Sequence, residues 1–249
     1  MGTFHIDTGS RTDTGRVRAH NEDSYCARPD IGLWAVADGM GGHESGDWAS
    51  ATTVAALEAV PAAAFDTLIT SVSDAIYGAN AKIFAESQAR GAQMGTTVVA
   101  LAMLGDHFGI FWDGDSRAYL LREGQLVQLT VDHTQVQMML DRGLIKPDEA
   151  AVHPMRHVLA RAIGVDGGME IDAFVDEVVP GDIFLLCSDG LTGVVADHEI
   201  EAVMQGGGSS RIADQLVSMT LDRGAPDNVT VCVVGVTADE LALGAGAPR

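Results

Sequence analysis

The chain has 249 residues, 47% of them hydrophobic, enough to bury a sizeable core in one large domain. Thirty-five acidic against 15 basic residues leave a formal net charge of −20, which opposes binding to a nucleic-acid backbone and obliges a phosphorylated partner to find a local positive site. No apolar run reaches the roughly 18 residues of a membrane span, and no secretory leader is visible at the start, so the expected compartment is the cytoplasm. Cys26, Cys187 and Cys232 cannot make a paired disulfide framework. They are not phosphatase nucleophiles either, because Gly32, Gly193 and Ala238 stand where a phosphate-binding arginine six positions on would be required.

Residues 3–8 and 33–37 predict strands, with the polar segment 11–23 between them as loop or ribbon. An alanine-rich helix over 44–60 ends at Pro61, and a second places Leu68, Val72, Ile76, Ala79 and Ile83 on one face before Gly91 closes it. Residues 96–104, 107–112, 117–121 and 125–129 predict four short strands in an antiparallel meander. The stretch 132–168 changes character, with prolines, histidines and basic residues, as an excursion beside an active site does. Strands follow at 175–179 and 182–187, amphipathic helices at 200–204 and 212–221, and a last strand at 229–236. Strands at both ends with helix pairs between them argue against a doubly wound fold.

Four aspartates stand at the ends of these apolar runs: Asp38 before Gly39, Asp115 after Gly114, Asp189 before Gly190, and Asp227 before Asn228. Glycine beside a carboxylate lets a carbonyl or water approach closely. Hard divalent cations take carboxylate, carbonyl and water oxygens. The pattern indicates a metal-dependent hydrolase, since turn chemistry accounts for any one Asp-Gly pair but not for the whole ordered set.

In order along the chain come Arg18-Ala19-His20-Asn21-Glu22-Asp23, Ala37-Asp38-Gly39-Met40-Gly41-Gly42-His43, Gly95-Thr96-Thr97, Gly114-Asp115-Ser116-Arg117, Ser188-Asp189-Gly190-Leu191 and Pro226-Asp227-Asn228-Val229-Thr230. Together they resemble the metal-dependent protein phosphatase family, type 2C, in its bacterial subgroup, over residues 3–236. The resemblance implies an α+β fold, an α-β-β-α sandwich of two central antiparallel sheets flanked by helix pairs. It implies one phosphatase domain over 1–237, a flap at about 132–168 and a tail over 238–249. The implied cofactors are two Mn²⁺ or Mg²⁺ ions, and a third as in bacterial members.

By the same resemblance Asp38 bridges two cations, Asp189 and Asp227 complete the ligands of one, and Gly39 offers its carbonyl to the other. Glu22 and Asp23 orient metal-bound waters, Asp115 serves the third ion together with Asp189, and Arg18 holds the substrate phosphate. A hydroxide shared by cations about 3.5–4 Å apart would attack phosphorus in one step, without a phosphoenzyme. His43 is matched to the donor of the leaving-group proton, with a metal-bound water as the alternative. The implied partners are a phosphoserine or phosphothreonine protein and a cognate bacterial kinase, with neither nucleic acid nor membrane. A narrower likeness is to phosphatases of type VI secretion loci, which oppose a threonine kinase acting on a forkhead-associated protein.

Asp113 departs from the family pattern, which has an apolar or small residue there; a solvated strand-end carboxylate is expected in preference to a metal ligand. His153 and His157 have the spacing of a zinc pair, but Pro154 interrupts the helix and no third soft ligand completes a tetrahedral set. Two other functions remain open, another two-metal phosphoester hydrolase and a non-catalytic phosphoprotein-binding module of the same fold. The first is distinguished by activity on a diester, the second by loss of a metal aspartate; none is lost here.

Overall fold

A computed structural model describes residues 4–41, 44–150 and 152–238; His43 and residues 239–249 of the expected tail lie outside the described residues. One sheet runs β1 (Phe4–Asp13), β11 (Val229–Ala238), β10 (Ile183–Cys187), β7 (Arg117–Arg122), β8 (Gln125–Gln128). The other runs β2 (Asp23–Arg28), β3 (Leu33–Met40), β5 (Val98–Leu104), β6 (His107–Asp113), β9 (Asp172–Glu177), with β4 (Gly95–Thr96) paired to β3. Helices α1 (Glu44–Glu58) and α2 (Phe65–Arg90) pack on the second sheet, and α5 (Asp189–Thr192), α6 (Asp197–Met204) and α7 (Ser209–Asp222) on the first. Two short helices, α3 (Gln135–Asp141) and α4 (Pro147–Ala150), lie in the excursion between β8 and β9.

Strand periodicity sorts the apolar residues into three cores. On β3, Leu33, Ala35 and Ala37 face the helices while Trp34 and Val36 face the opposite sheet. On β11, Val231 and Val233 face the helical side while Cys232, Val234 and Val236 point inward. Central strands buried on both faces need apolar residues at every position, which is why they read as unbroken hydrophobic runs. Each fully buried Val, Leu, Ile or Phe contributes roughly 1.5–3 kcal/mol. Phe108 of β6 and Phe184 of β10 meet edge to face, 4.8 Å between centroids, and tie the two sheets together. The expected α-β-β-α sandwich is thus the observed architecture.

Three elements differ from expectation. β1 continues to Asp13 through polar Ser10, Arg11 and Thr12, because as an edge strand it pairs residue for residue with β11 on one side only. β2 occupies Asp23–Arg28, where no strand was expected; its apolar content is small, and its pairing with β3 supplies what its sequence does not advertise. The meander does not exist as such. β6 pairs with β5 and β9, β7 pairs with β8 and β10, and the chain crosses from one sheet to the other at Gly114-Asp115-Ser116.

The crossing depends on Gly114, whose φ of 112° lies in a region that side chains avoid and whose missing Cβ would stand 2.6 Å from Thr97 Cγ2. Gly114→Ala is expected to lower stability by about 1–3 kcal/mol. Urea denaturation measures this, and a midpoint equal to the wild type would show that the crossing tolerates a side chain.

Candidate metal centre

The register of β2 on β3 sets Asp23 directly opposite Asp38 at one pole of the sandwich. At the same pole β10 ends just before Asp189 and β11 begins just after Asp227, while Asp115 enters from the crossing between the sheets. A cavity of about 770 Å³ is lined there by Arg18, Glu22, Asp38, Gly39, Asp115, Asp189 and Asp227. Asp23, 7% exposed, lies buried beside it. Of the residues singled out from sequence, His43 alone is not placed, since it falls outside the described residues.

Neutral hydrogen-bonding groups hold the backbone that carries these acids and, at Asp23, a carboxylate oxygen itself. The Asp38 amide donates to Thr97 Oγ1 at 3.0 Å, and its carbonyl accepts from the Thr97 amide at 2.8 Å and from Thr96 Oγ1 at 2.9 Å. Gly39 fits because a Cβ would lie 2.1 Å from the Gly46 carbonyl oxygen at the start of α1. Ser188 Oγ donates to Asp23 Oδ2 at 2.8 Å and accepts from the Thr230 amide at 3.0 Å, which fixes the direction of its one proton. Asn228 Oδ1 accepts from the Glu22 amide at 2.9 Å, and its Nδ2 donates to the carbonyls of Thr14 and His20. Thr97, Ser188 and Asn228 stand inside the sequence motifs without an expected role; Ser188 and Asn228 are signalled by adjacency to Asp189 and Asp227, and Thr97 only by its Gly95-Thr96-Thr97 motif.

Crowding of like charge perturbs the site. Burial and the charges of Asp23, Asp189, Asp115 and Asp227 hold the Asp38 carboxyl well above its ordinary range. Burial, reinforced by the Asp189 charge, pushes Asp23 and Asp115 up to about 7. Burial also raises Glu22. At the rim, Arg18 Nη2 donates to Asp227 Oδ2 at 2.7 Å, and this hydrogen bond raises the guanidinium further. His157 Nδ1 lies 3.7 Å from Asp189 Oδ2, and the nearness of that carboxylate raises the imidazole.

The donor set fits a hard divalent cation: it is all oxygen, densely anionic, and includes Asp23 Oδ1, a buried atom with no partner among the described residues. Among the described residues no three Asp, Glu, His or Cys side chains close on one point. The donors line a cavity instead, which suits an ion such as Mg²⁺ that retains several waters.

Asp113 is neither solvated nor in the cleft. It is 1% exposed and bonds to Arg161 Nε and His133 Nδ1, both at 3.1 Å. The turn at Gly114 breaks strand regularity, so Asp113 and Asp115 do not share a face. His153 and His157 do not share a site either, since His153 Nδ1 accepts from the Met155 amide while His157 approaches Asp189.

The protein phosphatase 2C family pattern matches residues 8–137. The chain is 40% identical over 244 residues to the serine/threonine protein phosphatase PstP of Mycobacterium tuberculosis, covering 94% of this chain and 46% of that protein, so it spans about half that relative's length. The chain belongs to the protein phosphatase 2C family. Among solved structures, PppA of Pseudomonas aeruginosa, described as a key regulatory component of T6SS, superposes with a TM-score of 0.87 at 38% identity, over 93% of this chain and 98% of that one. The catalytic domain of PstP, solved in complex with two manganese ions, gives 0.82 at 38% identity, over 94% and 100%.

A carboxyl raised on folding favours the folded state while protonated, so its contribution is lost as pH climbs from the unfolded value through the folded one. With Asp23 and Asp115 raised from 3.8 to about 7, the metal-free chain is expected to lose stability between about pH 4 and 7, and the raised His157 carries the loss in the same sense above its ordinary value. Thermal melts in EDTA test this. Excess Mn²⁺ is expected to flatten the trend, and a melting temperature that rises with pH in EDTA contradicts it.

Proposed function

We propose that this chain is a metal-dependent serine/threonine phosphoprotein phosphatase acting through one-step hydrolysis, with no phosphoenzyme. The observation that carries the reading is the single cleft in which Asp38, Asp115, Asp189 and Asp227 face one another with Arg18 at the rim. Asp38, Gly39, Asp189 and Asp227 would hold a pair of Mn²⁺ or Mg²⁺ ions, Asp115 with Asp189 would serve a third, and Glu22 and Asp23 would orient water there. When bound, such ions supply Lewis acidity and ionise water near neutral pH.

The chain's own residues do the rest. Arg18 offers a planar fork that meets two phosphate oxygens at once, and its place on Asp227 keeps that fork over the cleft. Thr96 and Thr97 keep Asp38 from turning away, and Ser188 leaves one oxygen of Asp23 without a competing partner. His43 donates the proton to the departing seryl or threonyl oxygen. The domain extends over residues 1–237, and the excursion, whose His157, Val158 and Leu159 line the cleft, is its flap.

Its cellular place is the cytoplasm, opposite a bacterial serine/threonine kinase in type VI secretion control; the likeness to PppA supports this. Hydrolysis of a phosphothreonine forkhead-associated protein from the same genome checks that assignment, and inertness toward it alone among phosphothreonine proteins removes it.

The chemistry is tested by titrating Mn²⁺ against hydrolysis of a phosphothreonine peptide and of bis(p-nitrophenyl) phosphate. The peptide is the expected substrate. Asp189→Asn is expected to lower kcat/KM by roughly a thousandfold, the several kcal/mol a cation provides. Arg18→Lys keeps the charge but not the fork and is expected to cost about tenfold, mainly in KM. Preference for the diester, or activity without metal, sinks the reading.

A further inference from the structure

The strongest ionic cluster outside the metal cleft gathers where the excursion leaves and rejoins the sandwich. Asp113, the last residue of β6, accepts from Arg161 Nε at Oδ1 and has the same oxygen against His133 Nδ1, each at 3.1 Å, while His133 Nδ1 also accepts from the Gly114 amide at 3.1 Å. His133 stands at the outgoing foot of the excursion and Arg161 at the returning foot. Asp172, first residue of β9, meets the same two side chains, with Oδ2 2.7 Å from His133 Nε2 and 3.3 Å from Arg161 Nη1. Arg161 Nη2 also donates to the Glu170 carbonyl. Trp112 stacks along the His133 ring at an interplanar angle of 17° and closes the cluster from the core side.

Burial decides what this arrangement does. Asp172 is 44% exposed at its side chain, so water screens its pairs. Asp113 is 1% exposed and its Oδ2 has no partner among the described residues, so of the two acids it is the one whose attraction to Arg161 is less screened. Backbone bonds join the two feet to each other, from Ala160 to His133 and from Gln135 to Val158, and bind the outgoing foot to Gly114. The returning foot also pairs through its backbone at Ile163 with Thr96 of β4, and the Arg161 side chain adds the link to β6 through Asp113.

What the feet carry faces the substrate. His157, Val158 and Leu159 line the metal cleft, and a second cavity of about 610 Å³ opens beyond Asp115 and Asp189 between Val136, Leu140 and Arg156 of the excursion and Thr192 of α5. A phosphoprotein must pass along this wall, whereas a small aryl phosphate needs only the ions and Arg18.

We infer that Asp113 is a positioning residue that pins both feet of the flap on one buried carboxylate and so sets the flap's posture toward protein substrates. It touches neither phosphate nor metal. The inference rests on the phosphatase reading for its kinetic consequence but not for its structural one.

The experiment compares wild type, Asp113→Ala and Arg161→Gln by amide hydrogen exchange and by steady-state kinetics on a phosphothreonine protein and on p-nitrophenyl phosphate. Both variants are expected to exchange about tenfold faster across residues 135–159, as the loss of a charge-assisted contact gives, with the amides of α7 unchanged. KM for the phosphoprotein is expected to rise about tenfold by the same measure, while kcat and the aryl phosphate kinetics stay put. Unchanged exchange overturns the inference. So does an equal loss on both substrates, which would assign Asp113 to the hydrolytic centre. If Asp113→Ala does not fold, Arg161→Gln, altered at a side chain 37% exposed, carries the same test. A wild type inert on every phosphopeptide defeats the phosphatase reading alone, since the exchange data still decide the anchor.

Discussion

Carboxylates gathered in one cleft repel one another, and two like charges about 4 Å apart at an effective dielectric of 20 cost roughly 4 kcal/mol. This chain directs Asp38, Asp115, Asp189 and Asp227 into such a cleft and buries Asp23 beside them. It does not neutralise them with lysines or arginines from below. The groups that fix the acids are the hydroxyls of Thr96, Thr97 and Ser188 and the amide of Asn228, which orient without adding charge. Among the residues lining the cleft, the cationic side chains are Arg18 and His157, both at its edges. Among the described residues the acids meet little opposite charge, and burial with mutual repulsion holds Asp23, Asp38 and Asp115 above the usual carboxylate range.

The cleft also uses the sandwich as a hinge between two sources of ligand. Asp23 and Asp38 come from the sheet under α1 and α2; Asp189 and Asp227 come from the sheet under α7; Asp115 sits on the strand-to-strand crossing. A cation held by both groups favours the docked sheets over separated ones, so binding energy and folding energy are linked. The inter-sheet core of Trp34, Phe108, Phe184 and their neighbours does the same work from the other side of the strands.

How much of this the sequence displayed depends on the range of the signal. The acids were legible because each interrupts a long apolar run, and those runs were legible because central strands are buried on both faces. β2 was not: its pairing partner, not its composition, makes it a strand. The path after Asp113 was not either, because four short strands in succession look like a meander whether or not the chain changes sheet, and only a glycine with φ of 112° marks the change. Ser188 and Asn228 lay in plain view inside motifs, yet their partners are 165 and 206 residues away in the chain, beyond any local pattern.

Asp113 and Asp23 show why residue type and burial together still do not name a role. Both are nearly inaccessible aspartates at strand ends, and each keeps one oxygen without a partner among the described residues. Asp113 meets its opposite charge within the chain, in Arg161, with the His133 ring beside it, and so holds the excursion. Asp23 meets the Ser188 and Thr230 hydroxyls on one side and further carboxylates on the other, so among the described residues no cation answers its charge. A buried acid with an internal counterion is an anchor, and one without it is a place for an ion from solution. The distinction is invisible in the sequence because it is made by Arg161, 48 residues downstream of Asp113, folding back onto it.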